Sequence, residues 1–335
     1  MHMIDLGDFI VDGIEDILGE VRGGVVVEAP WGIWRLAVKV AELLRGMGIK
    51  AIVGARPTWG ACDIGRPPRG FNLIQLGHYL PPNIEYIIRL NGGWVRSRGV
   101  VKVVEFDGFK AFIAPAYYKP SGEGIERIHR MLKALGLNKP VVTYPMLYRL
   151  YAEELARLMG TSVKGPFTGC FMPIKASEII VVAGGYFYAL TAKLVNPDSR
   201  VISVDPHRQA VESIDNVYRK YLALKVRAIN EFSGAKRIAV LVSSKVGQGN
   251  LRRGLEVAEA LTNMGKEAYL AYCDEAGPDL INSMDADAVI IDACPRIGLD
   301  DLDRLTKPTL TVWELKLTNG KLTSYRPPLS VIPPI

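Results

Sequence analysis

The sequence has few cysteines and no long apolar run, and each shortage excludes a class of protein. Four cysteines among 335 residues are too few for a fold that depends on disulfide bonds for its stability. No two of them lie close enough for a local Cys-X-X-Cys metal motif. No apolar run approaches the roughly 18 residues of a membrane-spanning helix, and the first residues lack the basic-then-apolar pattern of a secretory signal. We therefore expect a soluble, cytoplasmic protein with no membrane partner.

Glutamine is also scarce, whereas basic residues are in modest excess. The chain has glutamine only at Gln75, Gln209 and Gln248, against 41 lysines and arginines, a bias that occurs in hyperthermophile proteins. The formal net charge is +6, but the basic residues are spread along the chain instead of forming a patch. This pattern favours a generally solvated surface, and we expect no direct contact with nucleic acid.

The order of predicted elements indicates three small domains of the α/β class. A strand, a short turn, a helix, a second strand and a third strand recur at intervals of about a hundred residues. Each repeat predicts a mainly parallel sheet flanked by helices. The predicted domains span residues 1–118, 119–232 and 233–335.

Two local patterns add detail to this plan. Asp107-Gly108, between two apolar runs, predicts a hairpin and therefore an antiparallel edge in the first domain. The proline pairs Pro327-Pro328 and Pro333-Pro334 predict an extended tail instead of a terminal helix.

Each predicted domain carries a cysteine at or near the end of a strand. Residues 288–291 form a short apolar run that Cys294 and Pro295 end, Cys62 lies on the loop after a strand, and Cys170 follows the segment after a helix. Open α/β sheets place their chemistry at the carboxyl ends of their strands. Three related domains around an axis would therefore bring Cys62, Cys170 and Cys294 to one point.

Cys273 is a rival for the third position because it too follows a strand. We prefer Cys294, because Pro295 turns the chain there, whereas Cys273 lies beside Asp274 and Glu275, whose charges disfavour a thiolate. Three thiolates without a nearby fourth suit an iron–sulfur cluster with one open iron. The alternative is a zinc site that a histidine or water completes.

Seven short motifs follow one another over nearly the whole chain: Trp59-Gly60-Ala61-Cys62-Asp63, Leu76-Gly77-His78, Thr168-Gly169-Cys170, Gly184-Gly185-Tyr186-Phe187, Val204-Asp205-Pro206, Lys245-Val246-Gly247-Gln248 and Ala293-Cys294-Pro295-Arg296. As an ordered set they resemble archaeal diphthamide synthase, a family of radical enzymes that use S-adenosylmethionine (SAM). The resemblance implies a homodimer of three-domain chains, in which Cys62, Cys170 and Cys294 of each chain together bind one 4Fe-4S cluster.

The resemblance also implies a reaction, the first step of diphthamide biosynthesis. An external reductant reduces the cluster, which cleaves the bond between sulfur and Cγ in the methionine part of SAM. The resulting 3-amino-3-carboxypropyl radical adds to C2 of one histidine imidazole in elongation factor 2, and methylthioadenosine leaves. The protein's part would be to orient the cleaved bond and to exclude water.

Glycine-containing turns are candidates for binding SAM. Gly247 and Gln248 are predicted to hold it, and Gly184 and Gly185 to let it approach the backbone closely. The alternative is that these are ordinary turn glycines.

Three further side chains are candidates with structural alternatives. Arg296 would pair with the SAM carboxylate or form a surface ion pair. Asp205 would accept from a ribose hydroxyl or cap the next helix. His78 would contact the cluster or the substrate, or be structural.

Trp31, Gln75 and Tyr188 stand where the family usually has other residues. A cluster-bearing non-catalytic paralogue or electron-transfer subunit of the same pathway is therefore an alternative function. A third hypothesis is a nucleotide- or sugar-binding α/β protein whose cysteines are incidental.

Overall fold

The structure, a computed structural model, describes residues 3–318. The proline pairs predicted to form an extended tail lie outside the described residues. Within the described range, no helix is both long enough and apolar enough to cross a membrane.

The first part of the chain forms two sheets. Its strands are β1 (Ile4–Asp5), β2 (Phe9–Val11), β3 (Gly24–Glu28), β4 (Ala51–Val53), β5 (Phe71–Leu76), β6 (Trp94–Arg98), β7 (Val101–Phe106), β8 (Phe109–Ala114) and β9 (Ala116–Tyr118). Its helices are α1 (Ile14–Leu18), α2 (Trp34–Gly46) and α3 (Pro82–Leu90). The larger sheet has the order β4-β3-β5-β8-β7-β6, and the smaller, antiparallel one has the order β1-β2-β9.

The second part of the chain forms a sheet with the order β11-β10-β12-β13-β14. Its strands are β10 (Val141–Thr143), β11 (Ser162–Lys164), β12 (Glu178–Val182), β13 (Arg200–Asp205) and β14 (Ala210–Ser213). Its helices are α4 (Gly122–Ala134), α5 (Arg149–Met159), α6 (Phe187–Val195) and α7 (Asp215–Phe232). All neighbours in this sheet are parallel except β13 and β14.

The third part forms a fully parallel sheet with the order β16-β15-β17-β18. Its strands are β15 (Arg237–Ser243), β16 (Glu267–Cys273), β17 (Ala288–Asp292) and β18 (Thr309–Thr311), and its helices are α8 (Leu251–Asn263) and α9 (Pro278–Ser283).

The three main sheets share one arrangement of four parallel strands. In each, the first strand lies between the second and the third, and the fourth follows the third, as in β4-β3-β5-β8, β11-β10-β12-β13 and β16-β15-β17-β18. A helix connects the first strand to the second in every case, namely α2, α5 or α8. This confirms the predicted α/β class with mainly parallel sheets flanked by helices. The exact domain boundaries stay a prediction.

Burial patterns explain why these segments form these elements. β3 and β17 are buried along their whole length, as expected for central parallel strands covered on both faces. In α2 the buried side chains Leu36, Val40 and Leu44 recur at helical spacing and pack towards the sheet. The predicted hairpin is confirmed, because β7 and β8 pair antiparallel around Asp107 and Gly108. The fold thereby aligns the carboxyl ends of the parallel strands in each sheet.

Candidate metal centre

Three cysteines, one from each main sheet, line the same two cavities. Cys62 follows β4, Cys170 lies between β11 and β12, and Cys294 follows β17. One cavity, which we call the Gln248 cavity, is also lined by Gln248, Arg253 and Trp313. The other, the His78 cavity, is also lined by Trp59, His78 and Arg296.

The structure therefore brings together the three cysteines that the sequence singled out. Cys273, the rival for the third position, ends β16 and lines neither of these cavities. Burial, followed by the nearby charge of Glu275, raises the pKa of Cys273 to about 11. Cys273 is absent from these linings although β16 is the counterpart of the strands that precede Cys62 and Cys170.

The three converging thiols resist losing their protons. Burial raises the pKa of Cys62 well above its usual value, and the charges of Cys294 and Cys170 raise it further. Burial also raises the pKa of Cys294 to about 12, with Cys170 as the next cause, and raises the pKa of Cys170. Buried thiols such as these three lose their protons and become thiolates when they bind a metal cation.

The loop that carries Cys62 is fixed by its neighbour Asp63. The Asp63 carboxylate accepts a hydrogen bond from the Trp59 backbone N–H at 2.9 Å, and its backbone oxygen accepts one from the Gln75 side chain at 2.7 Å. Lys245, on the loop after β15, lies 2.6 Å from the carboxylate, and both side chains are buried. Burial raises the pKa of Asp63, and Lys245 opposes that rise. This ion pair ties the Cys62 loop to the third sheet.

Gly247 and Gln248 approach the same loop from the third sheet. A Cβ atom on Gly247 would lie 2.5 Å from Cys62 Cα and 2.7 Å from its carbonyl oxygen, so any larger residue would clash with backbone. Gln248 Nε2 lies 3.7 Å from Cys62 Sγ, within donating distance of sulfur. Gly247 thus has a packing role in the structure, and its predicted contact with SAM stays a prediction.

Cys170 lies in a tight turn between β11 and β12. Thr168 and Phe171 pair across the turn through backbone hydrogen bonds of 3.1 and 3.2 Å, and the Thr168 hydroxyl lies 3.3 Å from Cys170 Sγ. The Thr191 hydroxyl donates to the Gly169 carbonyl at 2.8 Å, which anchors the turn to α6. The Cys170 thiol is therefore held by its neighbours on both sides.

Arg296, two residues after Cys294, packs over an indole ring. Its guanidinium carbon lies 3.8 Å from the centre of the Trp59 ring, a cation–π contact. Its Nη1 lies 3.5 Å from Asp300 and 3.7 Å from Asp301. Its Nε is buried and has no hydrogen-bond partner in the described part of the chain. Arg296 therefore faces the His78 cavity with a donor that is free for a ligand.

His78 lines the same cavity as a neutral imidazole. Burial lowers its pKa to about 4, although a backbone hydrogen bond with Thr58 opposes the shift. Its Nε2 is buried and, among residues 3–318, has no hydrogen-bond partner. The His78 cavity thus contains two unpaired nitrogen atoms beside three thiols.

Gly184, Gly185 and Asp205 line neither of these two cavities, and their predicted contacts with SAM stay predictions. They belong to turns around the Tyr148 hydroxyl, which a Cβ atom on Gly184 would approach to 2.9 Å. The Asp205 carboxylate accepts from the backbone N–H groups of Gly185, His207 and Arg208 at 3.0 to 3.2 Å. Asp205 therefore caps the turn between β13 and β14, and not the next helix, which begins only at Asp215.

The donor set suits a cluster better than a single ion. Among the described residues, no group of three or more His, Cys, Asp or Glu side chains is arranged to hold one metal ion. A single zinc ion needs all its ligands at one bond length from one point, whereas in a cluster each thiolate binds a different iron. Three soft thiols that line the same two cavities fit an iron–sulfur cluster.

Sequence reasoning missed two features of the site. One is the Asp63–Lys245 ion pair, although both residues stand in the quoted motifs. The other is Arg253 in α8, whose guanidinium bonds the Asp292 carboxylate at the end of β17 and lines the Gln248 cavity. No local signal pairs residues so far apart in the sequence.

Comparisons with known proteins agree with this geometry. Residues 142–326 match the family model described as a putative diphthamide synthesis protein. The chain is 26% identical to the 2-(3-amino-3-carboxypropyl)histidine synthase of Pyrococcus horikoshii over 90% of this chain and 87% of that protein. It is 23% identical to the enzyme of the same name from Methanocaldococcus jannaschii, over 88% and 83% of the two chains.

A solved structure shares the fold. The crystal structure of Dph2 from Pyrococcus horikoshii with a 4Fe-4S cluster matches at a TM-score of 0.69 and 21% identity, over 97% of this chain and 94% of that one. The match of fold and the match of the family model together confirm the resemblance that the motifs indicated. This chain belongs to the diphthamide synthesis protein family.

Proposed function

We propose that this protein is a 2-(3-amino-3-carboxypropyl)histidine synthase. It transfers the 3-amino-3-carboxypropyl group of SAM to a histidine of elongation factor 2, the first step of diphthamide biosynthesis. The observation that carries the proposal is the convergence of Cys62, Cys170 and Cys294 from three sheets on the same two cavities. The names of its relatives support the same activity.

The three thiols would hold a 4Fe-4S cluster and leave its fourth iron open. When bound, the cluster supplies the electron, received from an external reductant, that cleaves the bond between sulfur and Cγ of SAM and so releases methylthioadenosine. The chain's own contribution is to hold three thiolates in a buried place. The attraction between the cluster's cations and the thiolates would offset the free-energy cost of burying three negative charges, the cost that raises the pKa values of these thiols.

Arg296 would orient SAM in the His78 cavity. Its guanidinium is immobilised between the Trp59 ring and two carboxylates, and its buried Nε has no partner in the described residues. The SAM carboxylate is an acceptor of the right charge for that donor. Trp59 is itself held, because its Nε1 donates to Glu275 at 3.2 Å.

The remaining lining would keep water from the reacting atoms and add one polar contact. Ile84, Met146, Phe167 and Phe187 line the His78 cavity with apolar surface. His78 remains neutral at physiological pH because of its lowered pKa, so its Nε2 offers SAM or the target histidine a hydrogen bond without a charge.

The proposal includes the partners. The protein substrate is elongation factor 2, and the enzyme acts as a homodimer. The enzyme would act in the cytoplasm, because its substrate, a translation factor, is found there.

The test is product formation from SAM with a matched pair of cysteine variants. Anaerobically purified, iron–sulfur-reconstituted protein is mixed with dithionite and SAM, and methylthioadenosine is measured by chromatography. We expect product from the wild type and from Cys273→Ala, whose thiol lines neither cavity, and none from Cys294→Ala.

Three other outcomes would contradict the proposed function or change part of it. A 4Fe-4S spectrum without methylthioadenosine would indicate a non-catalytic or electron-transfer subunit. Normal folding without any cluster would contradict the role of the three cysteines. Product from Cys294→Ala but none from Cys273→Ala would show that the choice of the third cysteine is wrong.

A further inference from the structure

Two side chains place hydrogen-bond donors at the sulfur atoms of the converging cysteines. Gln248 Nε2 lies 3.7 Å from Cys62 Sγ, and the Thr168 hydroxyl lies 3.3 Å from Cys170 Sγ. The two donors come from different parts of the fold, the loop after β15 and the turn between β11 and β12. Thiolates bind iron without such donors, so these two contacts call for an explanation beyond ligation.

The orientation of the Gln248 amide is set by its neighbours. Its Oε1 accepts a hydrogen bond from the Ser243 hydroxyl at 3.4 Å, and the oxygen of that hydroxyl accepts one from the Lys245 backbone N–H at 3.2 Å. The amide oxygen therefore faces Ser243, and the amide N–H groups face Cys62. The reverse orientation would place a lone pair of the amide oxygen against a thiolate, which can only accept. Gln248 is also buried, so water competes little for its donors.

The Thr168 hydroxyl becomes a donor when Cys170 binds iron. While Cys170 is a thiol, either atom can donate across the 3.3 Å that separates them. A thiolate has no proton, so the hydroxyl must then donate to the sulfur. Backbone hydrogen bonds between Thr168 and Phe171 close the turn that carries both side chains. The donor is therefore held beside its sulfur by the fold.

Hydrogen bonds at these sulfurs affect how readily a cluster accepts an electron. Reduction adds one negative charge, and a donor at a thiolate sulfur stabilises that charge, which raises the reduction potential. Besides burial and the neighbouring thiols, the Asp63 charge raises the pKa of Cys62 and of Cys294, but Asp63 is paired with Lys245 at 2.6 Å. Because this ion pair adds little net charge beside the thiols, the neutral donors remain to stabilise the added electron.

We propose that Gln248 and Thr168 raise the reduction potential of the cluster by donating hydrogen bonds to the thiolates of Cys62 and Cys170. In the step concerned, the external reductant gives one electron to the cluster, no bond breaks and both donors keep their protons. The inference rests on the part of the proposed function that places a 4Fe-4S cluster on the three cysteines, and it does not depend on cleavage of SAM. Both are positioning residues, which act through the sulfur atoms.

The test is the midpoint potential of the cluster in the reconstituted full chain without SAM, from a redox titration followed by electron paramagnetic resonance. Gln248→Met keeps the length of the side chain but has no N–H group, and Thr168→Val keeps the shape but has no hydroxyl. We expect each variant to have a more negative midpoint potential than the wild type. The double variant should show about the sum of the two shifts, because the donors serve different sulfurs.

Two matched variants separate this effect from a loosened turn. Thr168→Ser keeps the hydroxyl and should keep the potential of the wild type. Thr191→Val removes another hydroxyl that holds the same turn, but that hydroxyl donates to the Gly169 carbonyl and not to a sulfur. Its potential should therefore stay close to that of the wild type. Iron content and visible absorbance show whether each variant carries an intact 4Fe-4S cluster before the titration.

A second measurement needs no substitution. Glutamine labelled with nitrogen-15 in its side-chain amide is incorporated into the wild type, and pulsed electron paramagnetic resonance should detect coupling between that nitrogen and the reduced cluster. The chain's other two glutamines make different contacts, because Gln75 Nε2 donates to the Asp63 carbonyl and Gln209 Oε1 accepts from Arg127. The coupled nitrogen is therefore expected to be that of Gln248.

Several results would overturn the inference. They are an unchanged potential in Gln248→Met and Thr168→Val, an equal shift in Thr191→Val, and no nitrogen coupling in the wild type. Each of these would leave the proposed cluster standing. A wild type without any 4Fe-4S spectrum would overturn the proposed cluster together with this inference, and iron analysis would reveal that before any potential is measured.

Discussion

Replacing Lys245 with methionine would leave the Asp63 carboxylate buried beside Cys62 without its cation. Both side chains are almost completely inaccessible, and 2.6 Å separates their charged atoms. Removing one member of a buried pair typically costs about 3–5 kcal/mol of unfolding free energy, because the remaining charge is uncompensated. Asp63→Asn should cost less, because Lys245 keeps its second partner, Glu275, which is partly exposed. The double variant should recover much of the loss of Lys245→Met.

The assay is urea unfolding of the cluster-free protein, with iron content after reconstitution as a second readout. The matched control is Lys220→Met, since Lys220 pairs with Asp303 at 2.7 Å with side chains 63% and 47% exposed. An exposed pair contributes about 0–1 kcal/mol, so this variant should unfold almost as the wild type does. The reasoning is refuted if Lys245→Met and Lys220→Met have equal effects, or if Asp63→Asn and Lys245→Met are simply additive.

Three further predictions concern the same site. Gly247→Ala should reduce the iron content per chain after reconstitution, because its Cβ would meet the Cys62 backbone. The control Gly277→Ala should keep the wild-type iron content, because its Cβ meets no atom within 4 Å. Equal iron content in both variants would count against the close approach. Cluster uptake, measured by absorbance, should rise as pH rises from neutral, because the pKa values of all three thiols are raised and binding must displace their protons. Uptake that does not depend on pH would contradict this prediction. The folded pKa of His78, about 4, lies below the ordinary value of 6.5, so its burial should cost about 3 kcal/mol of stability as pH falls from 6.5 to 4. His78→Asn should remove that part of the acid sensitivity in unfolding experiments, and an unchanged pH profile would argue against a neutral His78.

Local sequence patterns predicted much of the fold. Apolar runs such as that of β17 and the Asp107-Gly108 hairpin were sufficient because a buried parallel strand and a tight turn each have a local signature. The choice of Cys294 over Cys273 also had a local basis, since Pro295 turns the chain towards the cavities while β16 continues along the sheet edge.

The rest of the site depends on how the three sheets meet, which local patterns do not encode. Gly184 and Asp205 follow strands just as the cysteines do, yet their turns contact Tyr148: a Cβ atom on Gly184 would meet its hydroxyl, and His207, in the Asp205 turn, lies 3.1 Å from it. Gly247 was expected to let a ligand approach closely; it lines the Gln248 cavity and also packs on the Cys62 backbone, because the loop after β15 runs directly against the Cys62 loop. The Asp63–Lys245 pair joins residues of different sheets, so its spacing in the sequence gave no signal.

The central claim is that this protein modifies a histidine, and mass spectrometry of the protein substrate tests it most directly. Reconstituted enzyme, dithionite and SAM labelled in its methionine part are incubated with archaeal elongation factor 2, which is then digested and sequenced. The account predicts one labelled peptide, with a single 3-amino-3-carboxypropyl group on a histidine imidazole, and no label with Cys294→Ala. Methylthioadenosine released without labelled histidine, or label that persists in Cys294→Ala, would contradict it.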